Sequence, residues 1–144
     1  MNFFFLDTSA LVKHYRSEAG SARVDGLFAT ADAMIFISEL AIVEMASAFQ
    51  RLKDQGEIDD ATMDKALARF ASDTTGALVV IGFRSDSVQN ARNLVLKHHI
   101  RTLDALHLAA ILVYSPLKPV FVCADLRLIQ AAKANGLQSI NPLD

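Results

Sequence analysis

The stretch from Asn2 to Tyr15, NFFFLDTSALVKHY, constrains this chain more than any other. Four large apolar residues, Phe3 to Leu6, run without a break. A short unbroken apolar run is how a strand buried on both faces reads. Asp7, Thr8 and Ser9 follow at once. Their side chains can accept from free backbone N–H groups, so all three favour helix N-caps and turns. Ala10 to Tyr15 then reads as a helix. Asp7 is thereby predicted to stand where a buried strand ends and a helix begins. In an open parallel sheet, ligands bind along that edge.

The same alternation runs through the rest of the chain. Gly20 to Ala29 reads as a helix and Met34 to Ile37 as a buried strand. Ser38 is placed to cap the helix ELAIVEMASAFQRL, which ends before Gly56. Asp59 or Asp60 caps the next helix, through about Ser72, with Met63, Ala66, Leu67 and Phe70 at helical spacing. Leu78 to Phe83 is a third strand, and Ser85 or Asp86 starts a helix to about His98. Thr102 opens the helix LDALHLAAILVY, stopped by Ser115-Pro116. Val120 to Ala124 is a fourth strand. Asp125 caps LRLIQAAKA, which ends at Asn135-Gly136, and Leu137 to Ile140 is a short last strand. Strands alternating with helices predict an α/β fold with a parallel sheet. No repeat or linker interrupts it, so residues 1–144 are expected to form a single domain.

Composition narrows the functional classes. The chain is 52% hydrophobic and 21% charged, which argues for a packed core over disorder. Its net charge of −2 lacks the footprint of a protein that coats nucleic acid, and leaves room for a local basic rim. The single cysteine, Cys123, excludes an internal disulfide. The apolar run Leu108 to Tyr114 is too short to span a bilayer, and the start lacks the basic region of a signal peptide. A cytoplasmic protein with no membrane role is the expectation.

The acidic residues carry the functional signal. Asp7 and Asp125 each follow an apolar strand and open a helix, and a capping role explains either one alone. Together they say more, because a parallel sheet puts its strand C-termini on one edge. If the two strands are neighbours, their spacing of roughly 5 Å brings the carboxylates together. Two close carboxylates repel, and a divalent cation relieves that. Asp104 lies in the first turn of an otherwise apolar helix, where it favours the helix dipole or faces a site. His107, three residues on, reads as a core or hydrogen-bonded histidine that can pair with Asp104. Glu44, with Ser47 and Arg51, forms a thin polar stripe on an apolar helix, and pattern alone favours a solvated stripe. Glu39, in the first turn of the same helix, competes with it.

Four stretches in this order, FFFLDTSALVK, ISELAIVEMASAFQR, RTLDALHLAA and FVCADLRLIQAA, resemble the signatures of the PIN-domain family, and most closely the VapC toxins of bacterial toxin–antitoxin pairs. The resemblance covers nearly the whole chain. It implies a three-layer α/β/α sandwich with a central, mainly parallel sheet and acidic residues clustered at its C-terminal edge. By position it assigns the cluster to Asp7, Glu44, Asp104 and Asp125, and so favours Glu44 over Glu39. Ser9 matches a polar position beside the metal. Cys123 stands where the family often has Thr or Ser, and a thiol is the weaker hydrogen-bonding group.

Four carboxylates form a hard-oxygen ligand set, which suits Mg²⁺ or Mn²⁺ and not zinc. The resemblance implies metal-dependent hydrolysis of RNA to 5′-phosphate and 3′-hydroxyl ends, with Asp7 and Asp104 as the main ligands. Lys13, Arg16, Arg84, Arg92, Lys97 and Arg101 are candidates for phosphate contacts, and His98 and His99 read as surface residues. The resemblance also implies a homodimer and a cognate VapB-like antitoxin. The competing reading is a PIN-like RNA- or protein-binding module without catalysis. A phosphatase of the haloacid dehalogenase type ranks lower, because its second Asp would fall at Ser9.

Overall fold

The computed structural model describes residues 1–144. Strands β1 (Asn2–Leu6), β2 (Ala33–Ser38), β3 (Leu78–Ile81), β4 (Val120–Val122) and β5 (Gln138–Ile140) form one sheet in the order β3-β2-β1-β4-β5. Every neighbouring pair is parallel. The helices are α1 (Thr8–Tyr15), α2 (Ser21–Phe28), α3 (Leu40–Asp54), α4 (Asp60–Asp73), α5 (Ser85–His98), α6 (Thr102–Leu112) and α7 (Leu126–Ala134).

Alternation along the strands builds two cores. Phe5, Phe36 and Phe121 face one side and pack against α5, α6 and α7. Phe4, Leu6, Ile35, Ile37 and Val122 face the other and pack against α1 to α4. The unbroken run at Phe3 to Leu6 thus serves both faces, as a central parallel strand must. The result is a three-layer α/β/α sandwich.

The chain winds outward from β1 through β2 to β3, then returns to the other side of β1 for β4 and β5. The strand order therefore reverses between β1 and β4. A crevice opens at such a switch point, beyond the strand C-termini. Leu6 pairs with Val122, so the chain leaves both strands side by side.

Several boundaries differ from expectation for identifiable reasons. The third strand ends at Ile81 and not Phe83, because the Phe83 N–H donates to the Glu39 carboxylate at 2.8 Å instead of to a strand. The fourth ends at Val122 as the chain turns into α7, and the fifth begins at Gln138 because the Leu137 N–H closes the end of α7 on Ala132. Asp59, not Asp60, caps α4. Thr102 is the first residue of α6 and not its cap; Arg101 holds the cap position without a side-chain bond. Ser38 does accept from the Leu40 N–H at 3.1 Å, from the last position of β2.

Candidate active site

Asp7 leaves the end of β1 with its N–H still bonded to the Val122 carbonyl at 3.1 Å. Its Oδ1 accepts from the Ala10 N–H at 2.9 Å and from the Ser9 hydroxyl at 2.7 Å. The predicted capping role is real. The residue is only 3% exposed, and no basic side chain forms an ion pair with it. Burial pushes its carboxyl up to about 6, against the opposing pull of Ser9, Ala10 and the His107 ring; the Asp104 charge adds to the rise. Ser9 also lies 3.5 Å from the Ala124 N–H, which ties the turn after β1 to the turn after β4.

Asp125 caps α7 in the same way, Oδ1 accepting from the Leu128 N–H at 2.9 Å. Cys123 is fully buried and its thiol donates to the Asp125 carbonyl. Burial and the nearby carboxylates hold that thiol far above its ordinary range.

Asp104 projects from the first turn of α6 toward Arg101, whose Nε lies 3.0 Å from Oδ2. Nη2 of the same guanidinium is 3.7 Å from Asp125 Oδ2. A left-handed His99 ends α5, Ile100 anchors the turn in the core, and Arg101 is left 79% exposed over the acids.

Glu44 does not form a solvated stripe. It is half-buried in α3, and its Oε1 accepts from the Thr8 hydroxyl at 3.0 Å and is hydrogen-bonded to His107 Nε2. His107 therefore pairs with Glu44 across the fold and not with Asp104 along its own helix. Burial raises the Glu44 carboxyl, but the His107 bond and charge, the Thr8 bond and the Arg101 charge outweigh it and leave the group below its ordinary value.

Asp7, Ser9, Glu44, Asp104 and Asp125 all line one cleft of about 1000 Å³. Glu39 does not line it; its carboxylate holds the loop after β3. Of the cations singled out in the sequence, Lys13 and Arg101 line the cleft. Arg16 pairs with Glu18 and Glu57, and Arg84 with Asp86; Arg92 and Lys97 are on α5, outside the cleft lining. Arg51, read only as part of a stripe, does line it, as do Thr8 and His107. The spacing of Glu44, Ser47 and Arg51 along one helix face was the available signal for Arg51.

The donor chemistry fits a hard divalent cation. The acids offer oxygen only, and none of the hydrogen bonds to Asp7 reaches Oδ2 or to Glu44 reaches Oε2. No three His, Cys, Asp or Glu side chains are drawn together tightly enough to form a ready coordination shell. Arg101 places a positive charge beside Asp104 and Asp125.

Sandwich and cleft together define a doubly wound α/β domain with an acidic site at its topological switch point. The PIN domain model matches residues 4–115, and the chain belongs to that family. No curated protein matches the sequence. Among solved structures, PAE2754 from Pyrobaculum aerophilum is similar at a TM-score of 0.69 and 18% identity, over 99% of this chain and 90% of that one. VapBC2 from Rickettsia felis, bound to a DNA fragment from its promoter, gives 0.67 and 15%, over 96% and 98%. VapBC-1 from nontypeable Haemophilus influenzae gives 0.63 and 14%, over 99% of both chains. At these identities the likeness is one of fold. No helix is long and apolar enough to cross a membrane.

Proposed function

We propose that the protein is a divalent-metal-dependent endoribonuclease and the toxin of a toxin–antitoxin pair, working as a homodimer in the cytoplasm. The observation that carries this reading is the convergence of Asp7, Glu44, Asp104 and Asp125 on one cleft at the strand C-termini. Family membership supports the nuclease, and structural neighbours solved as VapBC complexes support a VapB-like antitoxin.

Asp7, Glu44, Asp104 and Asp125 would hold Mg²⁺ or Mn²⁺, with Asp7 and Asp104 as main ligands and Ser9 fixing Asp7. A bound divalent cation would supply an acidified water and neutralise charge on the phosphoryl group in the transition state. Asp7, nearly solvent-free, presents a carboxylate that no basic side chain pairs with directly, which favours cation capture. Arg101, tethered to Asp104 yet largely exposed, is free to turn from the acids to an RNA phosphate. Arg51 flanks Glu44 from the same helix face and offers a second phosphate contact. Lys13 is held by Glu18 at 2.9 Å and shapes the cleft wall.

A second reading, a binding module without catalysis, draws on the Arg101 contacts to Asp104 and Asp125, which offset the charge of two of the four acids. Incubation of purified protein with total cellular RNA, with Mg²⁺, Mn²⁺ or chelator and beside Asp104→Asn, separates the two. The nuclease gives discrete metal-dependent fragments that the variant does not make. RNA retention without fragments in any condition favours the binding module.

A further inference from the structure

His107 sits in the most apolar part of the chain. From Ala105 to Ile111, every residue of α6 except Leu106 is buried, and His107 itself is 1% exposed. A buried polar ring is costly unless its polar atoms are paired. Here only one is. Nε2 reaches Glu44 Oε1, with the Thr8 hydroxyl 3.4 Å away, while Nδ1 has no partner at all. Packing alone would be served better by leucine. What the imidazole brings to this position is one N–H, aimed at one carboxylate oxygen.

The surroundings hold that N–H in place. The ring meets Phe5 edge-on, with centroids 6.3 Å apart, and Phe5 stacks on Phe121 at 5.5 Å. The rigid centre of the sheet therefore sets the plane of the imidazole. A carboxylate oxygen only accepts, so the hydrogen in this bond is carried on Nε2. Thr8 donates to the same oxygen, Oε1. Two donors on Oε1, from α1 and α6, lock the Glu44 rotamer and leave Oε2 without a protein partner.

We propose that His107, with Thr8, is a positioning residue that fixes Glu44 so that its free oxygen serves the acidic site; the inference rests on the metal-dependent reading above. Outer partners of this kind orient a ligating group and are worth on the order of 10–100-fold in metal affinity or activity.

The test uses His107→Leu, which fills the space without a donor, and His107→Gln, which restores an amide N–H. Mn²⁺ binding is measured by calorimetry, alongside kcat and KM on RNA, after circular dichroism confirms folding. His107→Leu is expected to lose roughly ten-fold or more in Mn²⁺ affinity, with kcat reduced and KM for RNA unchanged. His107→Gln is expected to recover part of both. In a Glu44→Gln background, His107→Leu should add little, because the residue acts through Glu44. Wild-type Mn²⁺ affinity in His107→Leu overturns the inference, as does a loss undiminished in the Glu44→Gln background. Imidazole ¹⁵N spectra of the metal-free protein check the geometry independently, and a ring without a hydrogen on Nε2 overturns it. Absence of Mn²⁺ binding by the wild type overturns the metal-dependent reading itself, and is recognised by that control.

Discussion

Arg101 Nε lies 3.0 Å from Asp104 Oδ2, and the same guanidinium reaches to 3.7 Å from Asp125. The exposed arginine thus lies over two of the four acids that line the cleft. Ion pairs exposed to this degree contribute little to stability, about 0–1 kcal/mol. Its effect is on the charge of the cleft. Arg101→Ala is expected to leave the melting temperature nearly unchanged, to tighten Mn²⁺ binding several-fold and to raise KM for RNA. Calorimetry and steady-state cleavage read the two effects separately. Weaker Mn²⁺ binding in Arg101→Ala would show that the guanidinium orders the acids instead of competing with the cation.

Asp7 makes stability depend on pH. Burial raises its carboxyl from 3.8 to about 6. For a raised group, the stabilising contribution is complete below the unfolded value and is lost as pH rises through the folded one. Between about pH 4 and 6 the metal-free protein should therefore lose stability from this residue, by roughly 1–3 kcal/mol at neutral pH. Asp7→Asn keeps an acceptor for Ser9 and Ala10 and removes the buried charge. It should raise the melting temperature at pH 7–8 by several degrees, lose that advantage below pH 4, and abolish cleavage. Thermal melts across pH in chelator, with and without the substitution, check this. An equal melting temperature at pH 8 would mean that the buried carboxylate carries no such cost.

Much of this was legible in the sequence, and the limits have physical causes. The runs at Phe3–Leu6 and Val120–Val122 show buried strands because a central parallel strand is apolar on both faces. The caps at Asp7 and Asp125 are local, so residue spacing reveals them. Strand order is not local. Only the structure makes β1 and β4 neighbours and so puts both caps on one cleft. Glu44 reads as a solvated stripe because helix periodicity cannot see α1 and α6 closing over it. His107 fails for the same reason: its partner is 63 positions away in sequence, and an i, i+3 acid offered a nearer one. Arg101 reads as a phosphate contact; its pairing with Asp104 is local, an i, i+3 spacing, whereas its reach to Asp125 depends on β1 and β4 being neighbours.

Glu39 and Glu44 share a helix end and differ in what they touch. Glu39 accepts from the Phe83 N–H and holds the loop after β3; Glu44 lines the cleft. Glu39→Gln keeps an acceptor and should cleave RNA at the wild-type rate with a small loss of stability. Glu44→Gln should fold and lose cleavage by a factor of about 100 or more. A rate assay on one RNA, with melts of both variants, decides between them. Reversed effects would move the acid of α3 from Glu44 to Glu39.

Ser9 offers the most selective probe of Asp7. Its hydroxyl donates to Asp7 Oδ1 at 2.7 Å and so favours the ionised carboxylate, opposing burial. Ser9→Ala removes that support without adding bulk to the cleft. The Asp7 carboxyl should then rise further above its ordinary value, because only the Ala10 N–H remains to hydrogen-bond the same oxygen. Cation capture needs the ionised form, so the pH at which Mn²⁺ binding is half-complete should move upward, while binding well above that pH recovers most of its strength. A uniform loss of affinity at every pH would have another meaning. It would show that Ser9 acts through the bond across to the Ala124 N–H, holding the turns after β1 and β4 together, and not through the charge on Asp7.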